Sequence, residues 1–390
     1  MSSGRDTRVS IVRLDDYESG AIDRALEKLL APFGGMEGIV GDAERVVVKP
    51  NFLWSSGVDR AICTHPEIIR AASRSAAAAS GSRVTITDSP GVGTATRCAR
   101  VLDLAEEADF SILDANDGVQ IGREGKTLSY HRLFLSRRML ESDCLINLPK
   151  AKTHGQMVVT AAVKNTFGAV VGFEKAQWHF RAGRDPMAFA RLLVEIHESL
   201  PVKLSVLDAV VGMEGNGPGS GDPRKLGFLM AGKNAHAIDR VLCEIWGVDP
   251  GAVYTLRAAA EMGLATRLEE IEVIGPRLEE LRPSPAWKLA RPNPLRNIAG
   301  PTWFVPVMDR LLSLRPEVNP ATCIGCGHCV KACAAEAMTM VPSMTRPNAV
   351  VEIDRKKCIS CFCCQEICPQ GAIEVKTGPV ARILGLGRLR

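Results

Sequence analysis

Eight cysteines in the 390-residue chain repeat one spacing, Cys323-x2-Cys326-x2-Cys329-x3-Cys333 and Cys358-x2-Cys361-x2-Cys364-x3-Cys368. Two intervening residues let successive thiolates turn from one tight loop toward adjacent corners of a cubane, while the longer step carries the fourth into a following helical turn. Iron–sulfur chemistry of the [4Fe-4S] kind is the reading this favours. Zinc more often takes paired CxxC units across a wide gap, and a disulfide scaffold belongs to exported chains. Residues Met1 to Asp6 are polar, with no apolar signal-peptide core after them. A cytoplasmic, reducing environment is therefore expected.

The two runs, the second closed by Pro369, resemble those of bacterial two-cluster ferredoxins. That resemblance implies two [4Fe-4S] clusters with the fourth cysteine of each run crossing to the other. Cys323, Cys326, Cys329 and Cys368 would hold one, and Cys358, Cys361, Cys364 and Cys333 the other. Ala334 stands where the first run would carry proline, and Cys363 is an additional thiol, read as a packed spectator. The second run begins 35 positions after the first. Apolar, β-prone stretches at Ala337 to Val341, Ala349 to Ile353 and Ala372 to Val375 point to a small α+β ferredoxin-like unit over residues 317–377.

A much larger region precedes it. Composition is that of an ordinary globular chain, 46% hydrophobic and 24% charged with net charge +4, and no apolar stretch is long enough to span a bilayer. Only 5% of residues are aromatic, and no basic stripe interleaves with them, which excludes a nucleic-acid channel. Residues 1–281 alternate β-branched runs with helical patterns. Val9 to Leu14, Arg45 to Lys49, Arg83 to Asp88, Asp143 to Leu148, Lys203 to Val211 and Leu226 to Ala231 read as strands. Ala21 to Leu30, Pro66 to Ala79 and Asp185 to Leu200 read as helices. Such alternation predicts an α/β fold with a mostly parallel sheet and helices on both faces.

The unusual polar residues follow the apolar runs directly. Lys49-Pro50-Asn51, Asp88-Ser89-Pro90-Gly91, Pro149 to Gly155 and Gly212 to Pro218 each come after a predicted strand, and ligands of open parallel sheets bind beyond the carboxyl ends of strands. Any one such loop is ordinary turn chemistry. Together, Lys49, Lys150, Lys152 and Lys164 would gather positive charge for a small anion. Asn51, Asn165 and Asn216 would add binding contacts. His154 or Glu214 would handle protons, with Asp88 orienting, and His179 reads as packing beside Trp178 and Phe180. The run Gly215 to Gly221 is a possible anion cradle of backbone N–H groups, but it lacks the dinucleotide-binding and Walker A spacings, and Ser89 lies in no nucleophile elbow.

These residues carry a family resemblance. Val48-Lys49-Pro50-Asn51, Thr64-His65-Pro66-Glu67, Thr87 to Gly91, Leu148 to His154, Val163 to Gly168, Glu214 to Pro218 and Ala237-Ile238-Asp239 resemble the signature of the DUF362 proteins over most of residues 44–250. Many of those also carry a two-cluster ferredoxin segment. The resemblance implies a domain boundary and motif positions, and no established reaction.

Between the two units, residues 282–316 are Pro-rich and basic, a linker or docking strap with a short apolar helix expected at Val305 to Leu314. A basic tail, residues 378–390, follows the second unit. These charges would suit an acidic redox partner; a membrane surface is the weaker reading. The expected activity is an oxidoreductase relaying electrons from a low-potential partner protein through the clusters to an anionic substrate or cofactor. The alternative is a non-catalytic electron-transfer or assembly protein.

Overall fold

A computed structural model describes residues 6–122, 133–171, 174–182, 185–290, 314–342 and 348–377. In chain order its first strands are β1 (Val9–Arg13), β2 (Val46–Pro50), β3 (Val84–Asp88) and β4 (Phe110–Asp114). The ribbon strands β5 (Gly118–Ile121) and β6 (Leu133–Ser136) come next, then β7 (Cys144–Leu148), β8 (Lys150–His154), β9 (Val158–Thr160), β10 (Val202–Glu214), β11 (Asp222–Gly232) and β12 (Val273–Ile274). The main sheet runs β12-β1-β11-β10-β7-β2-β3-β4, with β8 attached to β10 and β9. From β10 to β4 neighbouring strands are parallel, and β11 runs antiparallel to both β10 and β1.

Both faces of this sheet are covered. Val46, Val48, Val84, Ile86 and Ile146 face one core, shared with helices Ser19–Leu30 and Pro66–Ser80; Val47, Leu145 and Leu207 face the other, shared with helices Pro186–Ser199 and Ala235–Trp246. Double burial explains why β2 reads as an unbroken Val-Val-Val run instead of alternating. The helices begin at their sequence signals. Asp185 Oδ1 accepts from Met187 N at 2.8 Å, Asn234 Oδ1 from His236 N at 3.0 Å, and His65 Nδ1 from Glu67 N at 3.3 Å ahead of Pro66.

All six expected strands are present, with ends shifted by a few residues. One segment differs in kind: Lys150–His154, expected as a loop, is strand β8. It leaves β7 at Pro149 and pairs with the distal half of β10, at Asp208 and Met213, because β10 and β11 extend well beyond the other strands.

The C-terminal unit has β13 (Leu314–Val318) paired with β16 (Ile373–Thr377) and β14 (Met338–Val341) with β15 (Val350–Ile353), both antiparallel. Each cysteine run leads through a helical turn, His328–Lys331 or Cys363–Glu366, into a strand. The expected helix at Val305 to Leu314 lies outside the described residues up to position 313, and Leu314 opens β13; the tail 378–390 lies outside them too. The described start of the strap packs on the large unit. Trp287 stacks on Trp246 with ring centroids 4.6 Å apart and lies in the same core.

Candidate functional site

The end of β2 delivers Lys49 and the end of β3 delivers Asp88. Their side chains meet at 2.9 Å, at 0% and 2% exposure. Lys49 Nζ also donates to Pro50 O at 2.9 Å, and Asp88 accepts from the backbone N–H groups of Phe52 and Ser89, each at 2.8 Å. Burial pulls the Lys49 ammonium below its usual range, opposed by Asp88. Gly168 sits against this pair: a Cβ there would lie 2.0 Å from Asp88 Oδ1 and 2.5 Å from Lys49 Nζ. Glycine is required by that close approach. Lys49 is thus neutralised within the protein, and its positive charge is spent on Asp88.

Beside this pair lies a cavity of about 110 Å3. Its cationic wall is Lys152 from β8, Lys164 from the turn Ala162–Asn165 and Lys175 from helix Glu174–Ala182; Asn51, Asn165 and Thr160 add polar groups. Lys152 Nζ donates to Ile62 O at 2.8 Å, Lys175 Nζ reaches Ser89 O, and Lys164 Nζ stands 5.9 Å over the Phe167 ring. Burial, aggravated by Lys164, pushes Lys152 and Lys175 each down to about 7. Lys164 is also lowered by burial. The second cysteine run lines the same cavity through Cys363, Glu366 and Ile367, with Ala332 from the first.

The remaining sequence candidates lie elsewhere. Lys150 is paired with Asp208 at 2.8 Å and donates to Tyr17 Oη at 2.8 Å, with Tyr17 Oη donating in turn to Asp208; His65 stacks on Tyr17 at 3.6 Å. This cluster does not line the cavity. Glu214 holds Arg224 at 2.8 Å and the Lys288 backbone N–H at 3.1 Å, which ties the strap to β10. His154 is fully buried; its Nδ1 accepts from the backbone N–H groups of Gln156 and Met157, and its Nε2 lies 3.1 Å from Glu366 Oε1. It reaches across to the ferredoxin-like unit, not into the cavity.

The glycine-rich run also serves that contact. Asn216 O accepts from Gln365 Nε2 at 3.1 Å, and a Cβ on Gly219 would lie 1.8 Å from the Trp54 ring and 2.6 Å from Glu366 O. Gln156 Nε2 donates to Cys361 O at 2.6 Å. The run therefore seats the turn Cys363–Glu366 instead of cradling an anion, because its glycines are filled by protein at van der Waals distance. Lys175 and Glu366 were not legible as site residues. The first reads as one charge on a solvated helix, and the second is hidden among cysteines.

Cys323, Cys326, Cys329 and Cys368 line one pocket with Val318, Ile324, Val351 and Ile373. The Cys329 thiol is raised to about 11, first by burial, then by Cys368, Cys326 and Cys323. Cys364 is raised by burial and by Cys361, Cys358, Cys329 and Cys333. Thiols so crowded need a cationic centre to ionise together. The backbone N–H groups of Ala337 and Ala372 donate to Cys333 and Cys368 Sγ, each at 3.2 Å, the same contact in both runs. Among the described residues no three Cys, His, Asp or Glu side chains close on a single metal ion; a wider group such as a [4Fe-4S] cubane fits these thiols.

A model of the 4Fe-4S dicluster domain matches residues 322–372, and the domain of unknown function DUF362 matches residues 46–244. A thylakoid-associated protein of Synechocystis sp. is 36% identical over 266 residues, 67% of this chain and 82% of that protein. Iron–sulfur subunit 1 of an Hdr-like menaquinol oxidoreductase of Archaeoglobus fulgidus is 39% identical over 80 residues, 18% of this chain and 28% of the subunit. The lactate racemase apoprotein of Thermoanaerobacterium thermosaccharolyticum aligns over 60% of this chain and 56% of its own, with 15% identity and a TM-score of 0.41. Among the described residues no helix is long and apolar enough to cross a membrane. The chain is an iron–sulfur protein with a ferredoxin-type [4Fe-4S] domain, and through its larger unit it belongs to the DUF362 family.

Proposed function

We propose that this protein is a cytoplasmic oxidoreductase carrying two [4Fe-4S] clusters, which exchange electrons between a low-potential partner protein and a small anionic substrate or cofactor in the cavity. One observation carries the reading: the turn that bears Cys364, directly after Cys361, also supplies Cys363 and Glu366 to the lining of the cavity that holds Lys152 and Lys164. The clusters, when bound, supply one-electron transfer. Lys152, Lys164 and Lys175 bind the anion, Asn51 and Asn165 orient it, and the Lys49–Asp88 pair with Gly168 shapes the floor. Protons come from the cavity lysines; His154 holds Glu366, and Glu214 anchors the strap.

Anaerobic reconstitution with iron and sulfide, followed by electron paramagnetic resonance during a redox titration, tests this. Two reversible low-potential signals are expected, and small anions should perturb the one lost in Cys361→Ser while leaving the one lost in Cys326→Ser unchanged. Signals indifferent to every anion would sink the cavity reading.

A carrier without catalysis is the second reading. It is favoured by the exposure of Cys326 together with Ile324, 49% exposed, and Met340, 39% exposed, at the first run, a face on which a partner protein can dock. Under that reading Lys164→Met leaves electron delivery to any acceptor unchanged.

A further inference from the structure

The lysines around the cavity outnumber the carboxylates that line it, Lys49, Lys152, Lys164 and Lys175 standing against Asp88 and Glu366. Lys49 has Asp88, and Glu366 has His154 at 3.1 Å. Lys152 and Lys175 donate to backbone carbonyls and Lys164 lies over an aromatic ring; Glu366 acts electrostatically on Lys164 and Lys152, and Asp88 on Lys175. Lys164 presses on both of the others, so all three lie within electrostatic reach across the space. Folding alone does not call for two more ammonium groups than carboxylates around one cavity, Lys152 buried and Lys164 and Lys175 half-buried, since desolvating a charge is costly unless it is paired.

We infer that the cavity takes a small organic dicarboxylate, its two carboxylates parted by a short apolar body. This rests on the anion-binding reading above and adds to it a count of charges and their separation. The count follows from the surplus of two lysines over the carboxylates Asp88 and Glu366. The separation follows from their origin on three different elements, strand β8, the turn Ala162–Asn165 and helix Glu174–Ala182. A single phosphate would prefer converging backbone N–H groups, and the glycine run able to offer them is packed against Trp54 and Glu366. Beside the polar groups the lining includes the apolar side chains of Phe52, Leu53, Phe167 and Ile367. These side chains suit carbon and would leave a highly solvated phosphate poorly matched.

Isothermal titration calorimetry on the anaerobic holoprotein, with succinate, butyrate and inorganic phosphate as probes, provides the test. Succinate should bind at least about tenfold more tightly than butyrate, one further charge-assisted contact being worth about that factor. It should also bind more tightly than phosphate, and its advantage over butyrate should fall severalfold in Lys175→Met and in Lys152→Met. The wild-type comparison stands even if a variant fails to fold. Equal affinities for succinate and butyrate would overturn the dicarboxylate while sparing an anion site, and tighter phosphate binding would replace it with a phosphate site. No binding of any of the three would remove both this inference and the anion-binding reading beneath it.

Discussion

The Lys49–Asp88 pair sets up an asymmetry that substitution can measure. In Asp88→Asn the Lys49 ammonium, 0% exposed, loses its counter-charge and keeps neutral acceptors such as Pro50 O. An uncompensated buried charge of this kind costs about 3–5 kcal/mol. In Lys49→Met the Asp88 carboxylate still accepts two backbone N–H bonds at 2.8 Å, so the loss should be smaller, about 1–3 kcal/mol. Lys49→Met combined with Asp88→Asn should recover part of the Asp88→Asn loss, with a coupling energy of at least about 1 kcal/mol. Thermal unfolding of the large unit followed by tryptophan fluorescence, under anaerobic conditions with cluster absorbance monitored, should place Asp88→Asn roughly 10 °C below wild type. Additive single effects, or a larger loss for Lys49→Met than for Asp88→Asn, would refute a pair held together by mutual desolvation.

The helix cap at His65 brings a pH dependence. Burial holds its imidazole down at about 4, against an ordinary value of 6.5, so the neutral ring that caps Pro66–Ser80 is favoured by folding above pH 6.5 and that stability is lost as pH falls from 6.5 toward 4. After discount for its partial exposure the effect is about 1–2 kcal/mol, and His65→Asn, which keeps a cap, should flatten the acid limb of the melting curve. For the thiols, Cys368→Ala should lose the same paramagnetic signal as Cys323→Ala and retain the one lost in Cys358→Ala; matching Cys358→Ala instead would show that the fourth cysteine stays with its own run. Gly219→Ala, forced against Trp54 and Glu366 O, should loosen the seat of the ferredoxin-like unit and speed iodoacetamide labelling of Cys363 by about tenfold or more with cluster absorbance intact, an outcome read by mass spectrometry.

Much of the chemistry was legible in residue spacing. The cysteine runs announce thiolate ligation because their geometry is local, set by two- and three-residue steps within one loop. The α/β class was legible for a similar reason: Val46-Val47-Val48 records a strand buried on both faces, and the apolar spacing of Pro186–Ser199 records a helix against it, one that folding buries more completely than its spacing implies, Glu195 and His197 included. The edges of the sheet were less so. β4, β8, β9 and β12 are short or polar, and Lys150–His154 is a strand only because β10 extends far enough to pair with it.

Which lysine carries free charge is a different kind of property. Lys49, Lys150, Lys152 and Lys164 look alike as residues following or near apolar runs, yet the first two are matched by Asp88 and Asp208, contributed from 39 and 58 positions away along the chain, while Lys175, on a helix with no distinguishing pattern, joins the others at the cavity. His154 and the glycine run carry the right atoms for catalysis and anion binding, and packing commits both to holding the cysteine-bearing turn. By itself the sequence determined the ligand chemistry and the layered α/β fold, since both follow from short-range spacing and burial periodicity. The tertiary structure alone decided which charges are neutralised and which face the cavity, because pairing and desolvation depend on groups that only folding brings together.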